Sequence, residues 1–307
     1  MKINGTVIGL GRTGVSIGLA LGKNQGEIQL TGFDFDHKKI EAAEVQHAFD
    51  QVSAKLEDAV KFADLVLIDL PFDQVKGVLA RIAQWMKKDA VVLYFSGLPA
   101  KIAGRAKQLL PENVYFVALT PALNPKYIED IDQSIPQTDL FENSEILISH
   151  LPGLPPKVIQ MAADLATRLG ATPCFADMVE VDGLQTLAQV LPRIAAAAVM
   201  AEVVNEPGWK DASQLAGNDL ANATRLIDSI LIENQGQVLI EDQENCLRVI
   251  VNLQNSLAKL AHLIEAGDRQ KLQDYLESLR VERENWLNGR KNIQPKKKSS
   301  VFRRKQP

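Results

Sequence analysis

The chain has 307 residues, 46% of them hydrophobic and 23% charged, which is a typical globular composition and enough length for two domains. Charges or turn residues interrupt every apolar run before the roughly 18–20 residues that a membrane span needs, so we predict no membrane partner. The net charge of −4 hides an asymmetry, because eight basic and no acidic residues follow position 289, so that the first 289 residues carry −12. An acidic body argues against a nucleic-acid partner.

Processing and metal signals are weak in this sequence. The first residues, MKINGTVIGL, enter a strand directly, without the charged and apolar regions of a signal peptide, so we expect a cytoplasmic location. Two cysteines and four histidines are scattered along the chain without the spacing of a metal site or a disulfide framework. We therefore predict no metal.

The first half of the chain alternates apolar, strand-like segments with amphipathic, helix-like segments. This alternation predicts a doubly wound, Rossmann-type α/β domain, with a parallel sheet covered by helices on both faces. The predicted elements in chain order are strand Lys2–Leu10, helix Thr13–Gly22, strand Glu27–Asp34, helix Lys38–Ala48, strand Leu65–Leu70, helix Phe72–Met86, strand Ala90–Phe95, helix Pro99–Leu110, strand Val114–Leu119, strand Ser144–Ser149 and helix Pro156–Leu169.

A glycine-rich turn joins the first predicted strand to the first predicted helix. In VIGLGRTGVSIGLAL, Gly9, Gly11 and Gly14 have G-x-G-x-x-G spacing, the pattern of a dinucleotide-binding loop in this position. The three glycines allow a tight turn, close approach of a pyrophosphate and close helix–strand packing, respectively. Arg12 and Thr13 open the helix, whose free N–H groups can bind the anion. The Arg12 side chain either contacts a phosphate or points to solvent.

Two further segments complete the predicted cofactor site. Asp34 ends the second predicted strand, twenty residues after Gly14, where a carboxylate can accept hydrogen bonds from the adenine-side ribose. It would repel a 2′-phosphate, so we predict NAD rather than NADP, and Asp36 is close enough to share this role. Leu70 and Pro71 follow the run LVLID and are expected to border the adenosine.

The pattern becomes purely helical after about residue 178. The predicted helices are Glu180–Asn205, Asp211–Ile232, Asn234–Ala266 and Arg269–Gly289. We therefore divide the chain into a dinucleotide-binding domain over 1–178, a helical substrate and dimerisation domain over 179–290 and a disordered basic tail over 291–307, whose partner the sequence does not identify.

Several segments, in order, resemble the prephenate/arogenate dehydrogenase family over nearly the whole chain apart from the tail. The glycine segment resembles the opening of that family, including Ser16 two places after the last glycine. ADLVLIDLP and TDLFENSEILIS resemble its third-strand segment and the stretch before its last sheet strand. WKDASQLAGNDLANATRLIDS resembles the helical region that ends in a Thr-Arg pair, here Thr224-Arg225, and NSLAKLAHLIEAGDRQKLQDYLESLRVERENWL resembles the dimerisation helices.

The resemblance implies an enzyme that oxidises prephenate or arogenate with NAD or NADP, releasing carbon dioxide on the way to tyrosine. It also implies a homodimer that pairs through the helical domain. Among the residues that match, Ser96 in VVLYFSGLP follows a strand and faces the cofactor, and Arg225 anchors a substrate carboxylate with its guanidinium.

The sequence departs from the family where histidines are expected. Thr120 precedes Pro121 in FVALTPALNP, where the family has histidine, and Val181, Val190 and Arg193 stand where further histidines are common. A threonine hydroxyl can form hydrogen bonds but cannot serve as a general base. General acid–base help is typically worth about 10²–10⁴-fold in rate, so its loss is costly without being fatal.

We therefore name Ser96 and Thr120 as candidate catalytic residues and Arg225, Arg193 and Asn124 as candidate substrate-binding residues. Arg193 has an equally good interpretation as a surface or interface arginine. Asn124 either lines the pocket or supports a proline-bracketed loop, and Tyr127 has the same two interpretations. His150, directly after the strand EILIS, is an alternative base.

Three functions fit these observations. The first is a prephenate/arogenate-type dehydrogenase acting on a small anionic substrate. The second is a dehydrogenase of the same fold with a changed carboxylate substrate, and the third is an NAD-binding sensor without turnover. The missing histidines motivate the second and third.

Overall fold

The structure is a computed structural model, and it describes residues 2–22, 28–130, 134–228 and 235–291. The strands are β1 (Ile3–Ile8), β2 (Ile28–Phe33), β3 (Gln51–Val52), β4 (Leu65–Ile68), β5 (Val91–Tyr94), β6 (Tyr115–Pro121), β7 (Glu145–His150) and β8 (Thr172–Phe175). The helices that accompany the sheet are α1 (Arg12–Gly22), α2 (His37–Val45), α3 (Leu56–Val60), α4 (Phe72–Ile82), α5 (Pro99–Leu109) and α6 (Pro156–Arg168), with a 3₁₀ turn at Pro125–Tyr127.

These strands form one eight-stranded sheet in the order β3-β2-β1-β4-β5-β6-β7-β8. The doubly wound fold class is confirmed, because the chain moves outward from β1 in both directions and helices cover both faces. The predicted parallel pairing differs in one place, since β7 runs antiparallel to β6 and β8 is parallel to β7. No helical crossover is needed there, and the described part of the connection to β7 contains one helical element, the 3₁₀ turn.

Two apolar layers hold the sheet between its helices. Leu67, Leu93 and Val117 point to the layer that contains α1 and α6, whereas Val66 and Val92 point to the layer that contains α4 and α5. All five side chains are at most 1% exposed. Burial on both faces is why these strands read as continuous apolar runs rather than as alternating patterns.

The helical region begins with α7 (Met178–Gln185), which continues through a π-helical segment, Thr186–Val190, into α8 (Leu191–Asn205). This joined helix is long and apolar enough to cross a membrane by length and composition alone, so the expectation that no segment qualifies is wrong. Pro192 does not break the helix, because the π-helical turn before it, in which the Leu191 N–H donates to the Thr186 carbonyl oxygen, shifts the hydrogen-bond pattern at this point. Only 11% of its most apolar stretch is buried in the single chain.

The remaining helices are α9 (Trp209–Leu215), α10 (Asn218–Thr224), α11 (Gln235–Glu241), α12 (Gln243–Glu265) and α13 (Arg269–Lys291). The predicted helix Asp211–Ile232 is interrupted between α9 and α10, where Gly217 has an extended backbone. Its final residues, and the predicted tail beyond Lys291, lie outside the described residues.

The end of α13 returns to the sheet domain. Arg290 donates a hydrogen bond of 2.8 Å to the carbonyl oxygen of Leu123, in the loop that follows β6. Lys291 pairs with Glu129 at 3.3 Å beyond the adjoining 3₁₀ turn. The helical region therefore contacts the sheet domain at two places, at α7 and at the carboxyl end of α13.

Candidate active site

The glycine loop lies between the carboxyl ends of β1 and β4, where the strand order reverses. Gly9 has φ +100°, and a β-carbon there would lie 2.0 Å from the carbonyl oxygen of Asp69, so only glycine fits. A β-carbon at Gly14 would lie 1.9 Å from the Gly9 carbonyl oxygen. Among the described residues, no atom beyond Gly11 and its two chain neighbours lies within 4 Å of a β-carbon placed at Gly11. The loop is therefore closed against the sheet at Gly9 and Gly14 and open outward at Gly11, as a bound dinucleotide requires.

Helix α1 starts at Arg12, so the N–H groups of Arg12 and Thr13 have no partner within the helix and can bind an anion. The Arg12 side chain does not point to open solvent. Its Nε donates to the carbonyl oxygen of Ile135 at 3.2 Å, and its guanidinium lies 5.6 Å from the centre of the Tyr127 ring. Ser16 joins the same contact, because its Oγ accepts the N–H of Gln137 at 2.9 Å. The segment after residue 134 thus packs against the start of α1.

Asp34 is placed beside the glycine loop by the end of β2. Its carboxylate accepts the Leu10 N–H at 2.7 Å and the Asp36 N–H at 2.9 Å, and Lys39 lies 3.8 Å away. The side chain is 5% exposed. Each carboxylate oxygen has a further lone pair, so these contacts orient Asp34 and leave it able to accept a ribose hydroxyl. Asp36 instead caps α2, accepting the Lys38 N–H at 2.9 Å.

Leu70 and Pro71 lie where the sequence placed them, directly after β4. Leu70 is buried, and its side chain would be 3.2 Å from a β-carbon at Gly9. Pro71 occupies the N-cap position of α4. The residue before them, Asp69, was not predicted to take part. Its Oδ2 accepts the Gly14 N–H at 3.1 Å, which places a second carboxylate on the glycine loop.

Phe35 follows Asp34 and is a second residue of this edge that the sequence reasoning missed. Its ring is 46% exposed, packs edge-on against Phe33 at 5.1 Å and has the Arg81 guanidinium 5.7 Å from its centre. The repeated aromatic and acidic residues of FDFD are the signal that was available.

Ser96 lies two residues beyond β5, in the turn that leads into α5. The turn is fixed from below by Tyr94, whose hydroxyl donates to the Gly97 carbonyl oxygen at 2.7 Å and also interacts with the Ser96 side chain. Burial raises the pKa of Tyr94, so the phenol stays protonated as a donor. Leu98 completes the turn with φ +56°, a conformation that leucine rarely adopts. Ser96 itself is half-buried and lies beyond the carboxyl end of β5.

Thr120 and Asn124 belong to the end of β6 and the loop that follows it. Thr120 is 7% exposed and lies opposite Leu147 of β7. Asn124 is 5% exposed, and both ends of its amide are used locally, since Nδ2 donates to the Asp139 carbonyl oxygen at 2.9 Å and Oδ1 accepts the Lys126 N–H at 3.2 Å. These contacts favour the supporting role for Asn124, and its substrate-binding role stays a prediction.

His150 is positioned away from this edge. It ends β7, but β7 is antiparallel to its neighbour, so His150 lies opposite Val117 rather than beside Pro121. Four residues along a strand separate those positions by about 13 Å. Its Nδ1 is 2.9 Å from the carbonyl oxygen of Leu151. The interpretation of His150 as a substitute base, which assumed a parallel strand, is therefore not supported by its position.

The helical region meets the site where α7 passes the start of α5. Asp182 of α7 accepts the Ala100 N–H at 3.3 Å, directly after the turn that carries Ser96. Burial, with a contribution from Asp242, raises the pKa of Asp182 to about 6. Beyond this contact the helix continues through Thr186 to Val190. Thr186 is bonded to the carbonyl oxygen of Asp182 and to the carboxylate of Asp242.

The candidate arginines belong to this helical layer. Arg193 lies in the first turn of α8 and is half-buried, and Arg225 is exposed and directly follows α10 as its C-cap. Helix α10 packs against α8, so the two arginines are on neighbouring helices. Val181 and Val190, which stand where histidines are common in the resembling family, are 0% and 8% exposed. Buried valines cannot supply or accept a proton, so that chemistry is missing from these two positions.

Comparison with known proteins gives consistent results. The family described as prephenate dehydrogenase, nucleotide-binding domain, matches residues 17–174, starting just after the glycine loop. A cyclohexadienyl dehydrogenase of Zymomonas mobilis is 22% identical over 246 residues, which are 76% of this chain and 81% of that protein.

Two solved structures extend the likeness into the helical region. Prephenate dehydrogenase from A. aeolicus, in complex with hydroxyphenyl propionate and NAD⁺, has a TM-score of 0.79 at 19% identity and covers 93% of this chain and 98% of its own. Synechocystis arogenate dehydrogenase has a TM-score of 0.71 at 18% identity and covers 92% of this chain and 100% of its own. At these identities the two structures establish the shared fold.

Proposed function

The chain belongs to the prephenate dehydrogenase family, and on that premise we propose that it is an NAD-dependent dehydrogenase that oxidises prephenate or arogenate with loss of carbon dioxide. The observation that carries the proposal is the glycine loop, closed at Gly9 and Gly14 and open at Gly11, with Asp34 beside it. The loop is evidence in addition to the family match, because the matched residues begin after it.

The residues of the loop fit an NAD molecule. The open face at Gly11 leaves room for a pyrophosphate beside the N–H groups of Arg12 and Thr13. Asp34 is held by two backbone N–H groups in the place where a ribose hydroxyl can donate to it. NAD bound there would supply the acceptor for a hydride from the substrate ring.

The chain's own residues would hold and orient the substrate. The Ser96 turn, fixed by Tyr94, places a hydroxyl at the carboxyl edge, and Thr120 places a second one at the end of the neighbouring strand. Either hydroxyl can donate to or accept from a ring hydroxyl group without taking its proton. Arg225 would bind a substrate carboxylate through two parallel hydrogen bonds, with Arg193 on the adjacent helix as a second cation.

A specific observation favours a second candidate, a dehydrogenase of this fold with a changed small-carboxylate substrate. Thr120, Val181 and Val190 leave these positions without a group that titrates near neutral pH, and the latter two are buried among apolar side chains. A substrate whose hydroxyl needs less help to lose its proton would suit such a site. If the absence of titratable groups at these positions abolished turnover altogether, the protein would be an NAD-binding sensor.

Cofactor choice is tested by equilibrium titration with NADH and NADPH. We expect NADH to bind at least about tenfold more tightly, because the Asp34 carboxylate would face a 2′-phosphate at a distance of a few ångströms. Asp34→Asn should reduce this preference. Equal affinities, or a preference for NADPH, would contradict the role assigned to Asp34.

Substrate anchoring is tested with Arg225→Ala and Arg225→Lys, once turnover has been measured. Loss of a bidentate contact to a carboxylate should raise KM about tenfold or more while kcat changes little, and lysine should restore part of the affinity. A fall in kcat with unchanged KM would assign Arg225 to another role. Thr120→Val, which keeps the volume but removes the hydroxyl, should instead lower kcat.

We also propose a homodimer that pairs through the helical domain. The helix from α7 to α8 exposes Leu184, Leu187, Val199 and Val204, each more than 40% exposed in the single chain. Exposed apolar side chains in this number on one helix favour a protein partner that covers them. Light scattering should give a dimer at micromolar concentration, and Val199→Arg should weaken it. A monomer, or a protein that sediments with phospholipid vesicles, would contradict this assembly and the cytoplasmic location that we propose with it.

A further inference from the structure

Asp69 places a negative charge where the cofactor's diphosphate is expected. Its backbone N–H donates to the Ile8 carbonyl oxygen at 2.8 Å, which fixes the residue directly beyond β4. Its side chain then turns toward α1, and Oδ2 accepts the Gly14 N–H at 3.1 Å. Gly14 is the third residue of α1, so the carboxylate lies at the first turn of the helix.

The first turn of a helix attracts anions, and this attraction is what a dinucleotide-binding loop uses. A carboxylate there accepts a hydrogen bond from one N–H group and partly neutralises the positive end of the helix dipole before a ligand binds. On the other side of the loop, Asp34 accepts the Leu10 N–H. The loop therefore contacts two carboxylates: Asp34 is 24 residues along the chain from Leu10, and Asp69 is 55 residues from Gly14. Arg12, the cation within the loop, is directed to Ile135 and Tyr127.

We propose that Asp69 is an affinity-determining residue that competes with the diphosphate of the cofactor for the start of α1. The inference rests on the proposed NAD site and goes beyond it. Asp69 stabilises the empty loop, and it lowers the affinity for ligands that carry a diphosphate. To bind, the diphosphate must either displace the carboxylate from the Gly14 N–H or lie close to it against electrostatic repulsion. Both alternatives lower the affinity.

The experiment compares the wild type with Asp69→Asn by calorimetric titration with NAD⁺, ADP and adenosine. The asparagine keeps an oxygen that can accept the Gly14 N–H but carries no charge. We expect it to bind NAD⁺ and ADP about tenfold more tightly, the order expected for two charges a few ångströms apart near a solvated surface. Adenosine, which has no diphosphate, should bind equally to both proteins.

Two controls separate this effect from general ones. Asp89→Asn removes the same charge from the exposed turn before β5, at the opposite end of the strands, and asparagine tolerates its φ of +63°. It should leave all three affinities within twofold. Raising the ionic strength should narrow the difference between the wild type and Asp69→Asn, because salt screens the repulsion.

The outcomes are distinct. Unchanged or weaker NAD⁺ binding by Asp69→Asn, with NAD⁺ still bound by the wild type, would overturn the role of Asp69 and leave the proposed function standing. A gain that includes adenosine would also overturn it, since the effect would not arise from the diphosphate. Failure of NAD⁺ to bind either protein would overturn both proposals. If Asp69→Asn does not fold, Asp69→Ser gives the same test with a smaller oxygen acceptor.

Discussion

Replacing Asp182 with asparagine should make the protein more stable at neutral pH. Asp182 is 4% exposed where α7 meets the start of α5, and its Oδ1 accepts the Ala100 N–H at 3.3 Å. Burial is the largest cause of its raised pKa, and Asp242 and Asp177 raise it further, whereas the Ala100 N–H and Lys101 lower it. Ionising this carboxyl group therefore costs more free energy in the folded protein than in the unfolded chain.

The magnitude follows from the pKa. The pKa of Asp182 rises from 3.8 in the unfolded chain to about 6 in the folded protein. This difference lowers the free energy of unfolding by about 3 kcal/mol above pH 6, compared with its value at acid pH. Because the folded pKa is raised, this contribution to stability is fully present below pH 3.8 and is lost as the pH increases to 6. Asparagine stays neutral throughout, so the variant should not lose stability over that range. We expect a gain of about 2 kcal/mol at pH 8, since the new amide must also find partners for its N–H groups.

The assay is urea unfolding of the wild type and Asp182→Asn between pH 3.5 and pH 8. The variant should be about 1 kcal/mol less stable than the wild type at the acid end, because of its amide, and its free energy of unfolding should rise relative to that of the wild type between pH 4 and 6 until it is about 2 kcal/mol higher. Asp58→Asn, which removes an exposed carboxylate, is the control and should change little. A variant that is no more stable than the wild type at pH 8 would refute the assignment of a buried, destabilising charge to Asp182.

Two other predictions concern the loop and the C-terminal helix. Gly14→Ala should lower the free energy of unfolding by about 3 kcal/mol or more and abolish NAD binding, because the new β-carbon would lie 1.9 Å from the Gly9 carbonyl oxygen. Thermal unfolding measures the first effect and titration with NAD the second. The control is Gly77→Ala, in an exposed and open part of α4, which should stabilise the protein by about 0.5–1 kcal/mol. Arg290→Ala should cost about 1–2 kcal/mol by removing the charged donor from the Leu123 carbonyl oxygen, and hydrogen exchange should be faster in the loop after β6. Unchanged exchange there would show that this contact does not hold the loop.

The sequence predicted the sheet well because its signals are local. Buried strands such as Leu65–Ile68 are short apolar runs, and their helices have amphipathic patterns, so the alternation defines the fold class. Strand direction has no such signal, since the side-chain period is the same for both directions. The antiparallel β7 was therefore missed, and with it the placement of His150. The available hint was the long connection after β6, for which no amphipathic helix was predicted.

The candidate site was predictable where spacing carries the chemistry and not where the fold brings distant residues together. The glycine spacing and Asp34 needed only the first 34 residues. Asp69 was hidden in the run LVLIDL because it was taken as part of the buried strand, although a charge within such a run was itself a signal. The contact of Asp182 with Ala100 spans 82 residues, and its effect depends on burial that no local pattern specifies.

The most direct test of the central claim is a turnover assay of the purified protein with NAD⁺ and either prephenate or arogenate. Formation of NADH is followed by absorbance, and the released carbon dioxide is measured in parallel. We predict that at least one substrate gives NADH and carbon dioxide in equal amounts. Because Thr120 cannot act as a base, it should add no inflection to the pH dependence of the rate, unlike a catalytic histidine at that position. Binding of NAD⁺ without NADH formation from either substrate at any pH would contradict the proposed reaction.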